Sequence, residues 1–185
     1  MAARLAVGRA ARRGRAPVVV WITGLSGAGK SAIAAEVRRR LAASGRPSVL
    51  LDGDEVRAAV ADPAAGYDAS GRLVNARRLA RLARLLEVQD LVVVVATMSL
   101  FHEIHAWNRR ALGRYLEVLV DVPVDTLARR DAKGLYARAA RDAAIGLPGV
   151  AVGAELPRAP DLVIANGVDD PAFAARAAER ILALL

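Results

Sequence analysis

The chain has 185 residues, with 27 Lys and Arg against 19 Asp and Glu, a net charge of +8 and no cysteine. This length suits one domain with a sizeable core; no apolar run reaches the roughly 18 residues of a membrane span, and disulfides and thiolate metal sites are excluded, as suits the cytoplasm. The positive balance points to anionic ligands, but only 4% of residues are aromatic and no recognition motif is present, so nucleic acid is not an expected partner.

The excess charge is concentrated at the start, where Arg4, Arg9, Arg12, Arg13 and Arg15 crowd residues 1–16. This arm lacks the apolar centre of a secretory signal and reads as a tail or a short surface helix, an Arg-rich transit peptide being the alternative. Residues 18–23 form a β-branched apolar run, the pattern of a buried strand, and residues 31–41 read as a helix. Between them stands Gly24-Leu25-Ser26-Gly27-Ala28-Gly29-Lys30-Ser31, which fits G-x-x-x-x-G-K-[ST] without a mismatch. A strand turning sharply into a helix aims backbone N–H groups and the positive helix end at one point, and the glycines allow close approach to phosphates. Lys30 then reaches the β- and γ-phosphates of a nucleoside triphosphate, and the Ser31 hydroxyl ligates Mg²⁺. Lys30 and Lys133 are the only lysines among the 27 basic residues. Where this sequence keeps Lys rather than Arg, a compact ammonium is the expected requirement, so Lys133 is a second site candidate.

Residues 48–52 read as a second strand that ends in acid, and Gly53-Asp54-Glu55-Val56-Arg57 opens a short helix. Acids at a strand end beside a phosphate loop suit Mg²⁺ or a hydroxyl proton. Residues 61–71 are expected to be loop and residues 72–89 an amphipathic helix with an arginine-rich outer face. Residues 91–96 form the most apolar run, so this strand should lie inside a parallel sheet. A loop and helix over 99–112, a strand over 115–121, a short helix over 124–130, a strand over 161–165 and a closing helix over 170–185 complete the pattern. Residues 131–160 show no clean period, and a stretch this long inside a domain is expected to be functional. Strands alternating with helices predict an α/β fold, a doubly wound five-stranded parallel sheet of the P-loop NTPase type with ligands at the carboxyl ends of its strands.

From Trp21 to about Ile164 the motifs resemble the adenylylsulfate kinase family. They are the phosphate loop, Leu51-Asp52-Gly53-Asp54-Glu55-Val56-Arg57, Gly66-Tyr67 followed by Arg72 and Asn75-Ala76-Arg77-Arg78, and Arg130-Asp131-Ala132-Lys133-Gly134-Leu135-Tyr136. The resemblance implies an ATP-dependent kinase acting on the 3′-hydroxyl of adenosine 5′-phosphosulfate, with residues 17–185 as the kinase domain and 131–160 as its lid. It implies Asp54 as the proton acceptor, Asp52 supporting Mg²⁺, and Arg57, Tyr67, Arg72 and Asn75 holding the acceptor. Ser99, Phe101, His102 and Leu135 join that acceptor set, Lys133 comes in from the lid, and homodimers are frequent in the family.

The departures fall on the acceptor side. Ser99-Leu100-Phe101-His102-Glu103-Ile104-His105 stands where the family carries Ser-Pro-aromatic-Arg and a second Arg, and Leu147-Pro148-Gly149 replaces its Phe-Thr-Gly. The segment is similar to a divergent branch that includes cytidine diphosphoramidate kinases. His102 and His105 are two ligands without a nearby third, so they are expected to face the acceptor or to pack rather than to bind a metal. A non-catalytic nucleotide-binding module is the alternative class; joint retention of Lys30, Ser31, Asp52, Asp54, Arg57, Arg72 and Lys133 argues against it, since folding needs no such set.

Overall fold

Five parallel strands carry the molecule, described here from a computed structural model that covers residues 16–62, 66–131, 134–142, 146–150, 153–168 and 170–185. Most of the basic N-terminal arm and Lys133 lie outside the described residues. The strands are β1 (Val19–Thr23), β2 (Ser48–Asp52), β3 (Val92–Thr97), β4 (Tyr115–Asp121) and β5 (Leu162–Ala165), in the spatial order β2-β3-β1-β4-β5. Every pairing is parallel, with Val19 opposite both Val93 and Tyr115.

The continuous apolar runs are explained by this order. β1 and β3 are buried along their whole length, because helices cover both faces of the sheet. Alternate residues serve opposite cores. Val18, Val20 and Ile22 pack with Val94, Ile33, Val37 and Ile181 on one side. Val19 and Trp21 pack with Val93, Val95, Leu79 and Ala83 on the other. The first core is roofed by α1 (Lys30–Ala43) and α7 (Phe173–Leu182), the second by α3 (Ala69–Glu87) and α4 (His102–Ala111). Truncating a fully buried residue such as Ile33 or Leu79 to Ala costs about 2–5 kcal/mol.

The remaining helices are α2 (Gly53–Val60), α5 (Val124–Arg130) and α6 (Leu135–Arg141). Three of the observed helices differ from expectation, α7 being three residues shorter at each end than residues 170–185. α3 starts at Ala69 rather than 72, because the Asp68 side chain accepts from Gly71 N at 2.8 Å and caps the first turn. α6 lies within the stretch that shows no clean period. Its start is fixed by Asp131, whose carboxylate accepts from the amides of Tyr136 and Ala137, both at 2.9 Å. Among the described residues no helix is long and apolar enough to cross a membrane.

Candidate active site

The carboxyl ends of β1 and β2 open on one point. Residues 24–29 turn β1 into α1, and the turn needs glycine where it leaves the strand. Gly24 has φ +146°, and a Cβ there would lie 2.4 Å from the Val120 carbonyl oxygen. At the other end Gly29, in a left-handed conformation with φ +96°, leads directly into α1. The loop therefore sits at the positive end of a 14-residue helix, a natural seat for phosphate. Ala28 is buried, Gly27 is exposed and Ser26 is half-buried. Lys30 Nζ donates to the Leu25 carbonyl at 2.7 Å.

From the end of β2, Asp52 joins the loop to α2. Its Oδ2 accepts from Ser31 Oγ at 2.7 Å, while its Oδ1 accepts from Asp54 N at 2.9 Å and caps α2. Asp54 is exposed in the first turn of α2. Among the described residues no three His, Cys, Asp or Glu side chains gather as a metal cluster. A hydroxyl beside a carboxylate is a hard-oxygen pair that fits Mg²⁺, an ion that completes its shell with waters and phosphate oxygens rather than a protein cage.

On α2, the guanidinium of Arg57 lies over the Tyr67 ring, 4.6 Å from its centroid, and its Nη1 donates to the Gly66 carbonyl at 2.7 Å. The Tyr67 side of this stack is open, at 73% exposure. Arg72 Nη1 donates to the carbonyls of Tyr67 at 2.8 Å and Gly146 at 3.0 Å, tying the 66–72 turn to the segment around Leu147. Burial draws the Arg72 guanidinium below its ordinary pKa, and the neighbouring Arg57 charge adds to this. Asn75 is buried; its Nδ2 donates to the Gly53 carbonyl at 3.2 Å, and its Oδ1 has no partner among the described residues.

The residues expected to contact the acceptor from the segment after β3 and from the start of α6 make the following contacts within the protein. Ser99 is buried and shares a 2.9 Å hydroxyl contact with Thr97. Phe101 packs against the core beneath α3 and α4, and Leu135 against the opposite core. His102 is fastened to the chain ahead of β5: its amide donates to Glu155 at 2.7 Å and its ring lies 3.0 Å from the Leu156 carbonyl. His105 turns into the protein, with Nδ1 2.6 Å from Glu117 Oε1. Glu117 also accepts from Tyr115 OH at 2.7 Å and from Arg109 at 2.9 Å. Burial alone raises the Glu117 pKa, but the bonds from His105 and Tyr115 outweigh it and hold the carboxyl below its ordinary value. The two histidines thus serve different partners rather than a shared ligand. Leu147 is buried in the first core and presents no aromatic face.

A further cavity was not legible in the sequence. Arg130, Asn166, Val168, Asp170, Pro171 and Phe173 line an open pocket of about 340 Å³. It adjoins the phosphate loop, since a Cβ on Gly29 would lie 3.2 Å from the Phe173 ring and 3.3 Å from Asn166 Nδ2. The position and volume suit the base of a nucleotide whose phosphates lie in the loop. Arg130 opens the Arg130-to-Tyr136 motif and was the one available signal.

The adenylylsulphate kinase family model matches residues 16–165. The bifunctional enzyme NodQ of Rhizobium meliloti is 39% identical over 176 residues, which are 94% of this chain; the chain spans only 27% of that relative's length. The cytidine diphosphoramidate kinase of Campylobacter jejuni is 37% identical over 150 residues, covering 81% of this chain and 86% of its own. Among solved structures, the Mycobacterium tuberculosis APS kinase CysC in complex with AMPPNP and APS superposes with a TM-score of 0.81 at 33% identity, covering 92% of this chain and 99% of that one. With its matching family model, fold and phosphate loop, this chain belongs to the adenylylsulphate kinase family of ATP-dependent phosphotransferases.

Proposed function

We propose that this chain transfers the γ-phosphoryl group of ATP to a hydroxyl, the ribose 3′-OH being the expected one, of an adenylylsulfate-like nucleotide acceptor. The observation that carries the reading is the meeting of Ser31 and Asp52 at the loop, 2.7 Å apart, with Asp54 exposed just beyond them on α2. In the transfer, the acceptor oxygen bonds to the γ-phosphorus as the bond from that phosphorus to the β,γ-bridging oxygen breaks. The hydroxyl proton passes to the Asp54 carboxylate, and ADP leaves. Lys30 and the loop amides stabilise charge on the moving group. Ser31 and Asp52 would hold Mg²⁺, which when bound neutralises the β- and γ-phosphates. Arg57 and Arg72 supply positive charge to the acceptor, Tyr67 a face for its base, and Lys133 a further charge from the lid formed by residues 131–160. Cytoplasmic location and a homodimer belong to the same reading.

Within this class we favour a cytidine diphosphoramidate-type acceptor over adenosine 5′-phosphosulfate. Two charge-assisted bonds of the family pattern, each worth about 1.5–3 kcal/mol, have no counterpart when His105 pairs with Glu117 and His102 with the 155–156 segment. A buried Leu147 also forgoes a stacking contact of about 1–3 kcal/mol. Steady-state kinetics on both acceptors, with Mg-ATP saturating, is the test. A higher kcat/KM for the cytidine compound is expected; a higher value for adenosine 5′-phosphosulfate restores the family reaction, and ADP binding without product on either identifies a non-catalytic module.

A further inference from the structure

Two side chains from distant parts of the chain grip the outside of the phosphate loop. Tyr136, on α6, donates its hydroxyl to the Ser26 carbonyl at 2.9 Å. Asn166, just after β5, donates Nδ2 to the Ala28 carbonyl at 3.1 Å. Neither grip is casual. The Tyr136 ring is buried, and its amide is held by Asp131 at 2.9 Å. The Asn166 backbone is held on both sides, its N–H on the Asp121 carbonyl and its C=O by Arg130, each at 3.0 Å.

A trans peptide points its C=O and its N–H in opposite directions. A carbonyl held outward therefore turns the next residue's N–H inward. The two gripped carbonyls alternate along the loop, and the amides that follow them belong to Gly27 and Gly29. Among the described residues neither amide donates to a protein group. Both glycines have positive φ, +77° and +96°, a region where a peptide without a Cβ rotates easily and needs an external restraint.

We infer that Tyr136 and Asn166 are positioning residues for phosphate. Together they form an outer collar that fixes the Ser26 and Ala28 carbonyls and so preorganises the Gly27 and Gly29 N–H groups toward the anionic oxygens of a bound polyphosphate. The inference rests on the proposed reading only in taking the loop as a phosphate seat. Burial, with the Asp131 charge adding to it, pushes the Tyr136 hydroxyl up to about 12, so it remains a donor throughout the physiological range. The grip also gives α6 a direct line to the donor site, because the residue that clamps the loop stands in its first turn.

The test uses Tyr136→Phe, which removes one oxygen and keeps the buried ring, and Asn166→Leu, which keeps the size and removes the donor. Inorganic tripolyphosphate with Mg²⁺ is the probe, because it reaches the loop without entering the pocket that Asn166 lines. Each variant should bind it roughly tenfold more weakly with little change in melting temperature. Backbone amide spectra should separate the two. Tyr136→Phe should diminish the tripolyphosphate-induced shift of the Gly27 amide and Asn166→Leu that of the Gly29 amide. Unchanged affinity in both variants, or equal loss of both amide shifts in each, overturns the collar while leaving the kinase reading in place. A parent protein that binds neither tripolyphosphate nor Mg-ADP overturns both.

Discussion

Ser31 Oγ and Asp52 Oδ2 lie 2.7 Å apart, while the other oxygen of the same carboxylate caps α2 through the Asp54 amide. One carboxylate thereby joins the phosphate loop to the helix that carries Asp54 and Arg57. Asp52→Asn keeps an oxygen for the cap but removes the charge that would face Mg²⁺. Turnover should fall by roughly 10²–10³, as for other lost electrostatic stabilisers, and the Mg²⁺ concentration for half-maximal rate should rise. Mg²⁺ titration of phosphoryl transfer checks this; an unchanged metal dependence removes Asp52 from the metal site.

Asp54→Asn separates proton transfer from metal binding. As the acceptor of the hydroxyl proton, Asp54 should contribute roughly 10²–10⁴ to turnover. ATP affinity should stay near that of the parent, because the exposed side chain stands in the first turn of α2 and Asp52 is the proposed metal ligand. Calorimetric titration of ATP with and without Mg²⁺, beside single-turnover rates, is the measurement. Weakened nucleotide binding at normal Mg²⁺ would instead make Asp54 a ligand.

The buried Glu117 gives a pH dependence to stability. Its folded pKa is lowered by His105 and Tyr115 against the opposing effect of burial. A lowered folded pKa means stability that is present above the unfolded carboxylate value, near 4.3, and lost as pH falls through the folded one. Melting temperature should therefore hold steady down to about pH 5 and then decline. Glu117→Gln should cost about 2–3 kcal/mol at neutral pH, less than a fully buried pair because Arg109 is partly exposed, and should flatten the acid limb. Melting curves of parent and variant between neutral and acid pH decide it.

The donor half of the site is legible in the sequence because its parts are contiguous. Residues 18–31 hold the strand, the loop and the helix start within one short window, and residues 48–54 hold the second strand with its acids. The pocket beside the loop is not, because Arg130, Asn166 and Phe173 come from three elements that meet only through the order β1-β4-β5. α6 is hidden for a different reason. Seven residues give too little period to read, and the helix is started by an aspartate beyond Gly134 rather than by an adjacent cap. The fates of His102 and His105 were also out of reach, although a charged residue amid the apolar Leu116, Val118 and Leu119 was a sign that some polar partner must cross to β4.

Gly24 leans on the Val120 carbonyl, so close that no Cβ fits between them. The phosphate loop is therefore rooted in its neighbour strand before any nucleotide is considered. Should the acceptor preference of this scaffold drift, residues in the 66–72 turn and around α4 are free to change with it. Position 24 is not, and what forbids the change is a backbone oxygen of β4, indifferent to which molecule receives the phosphate.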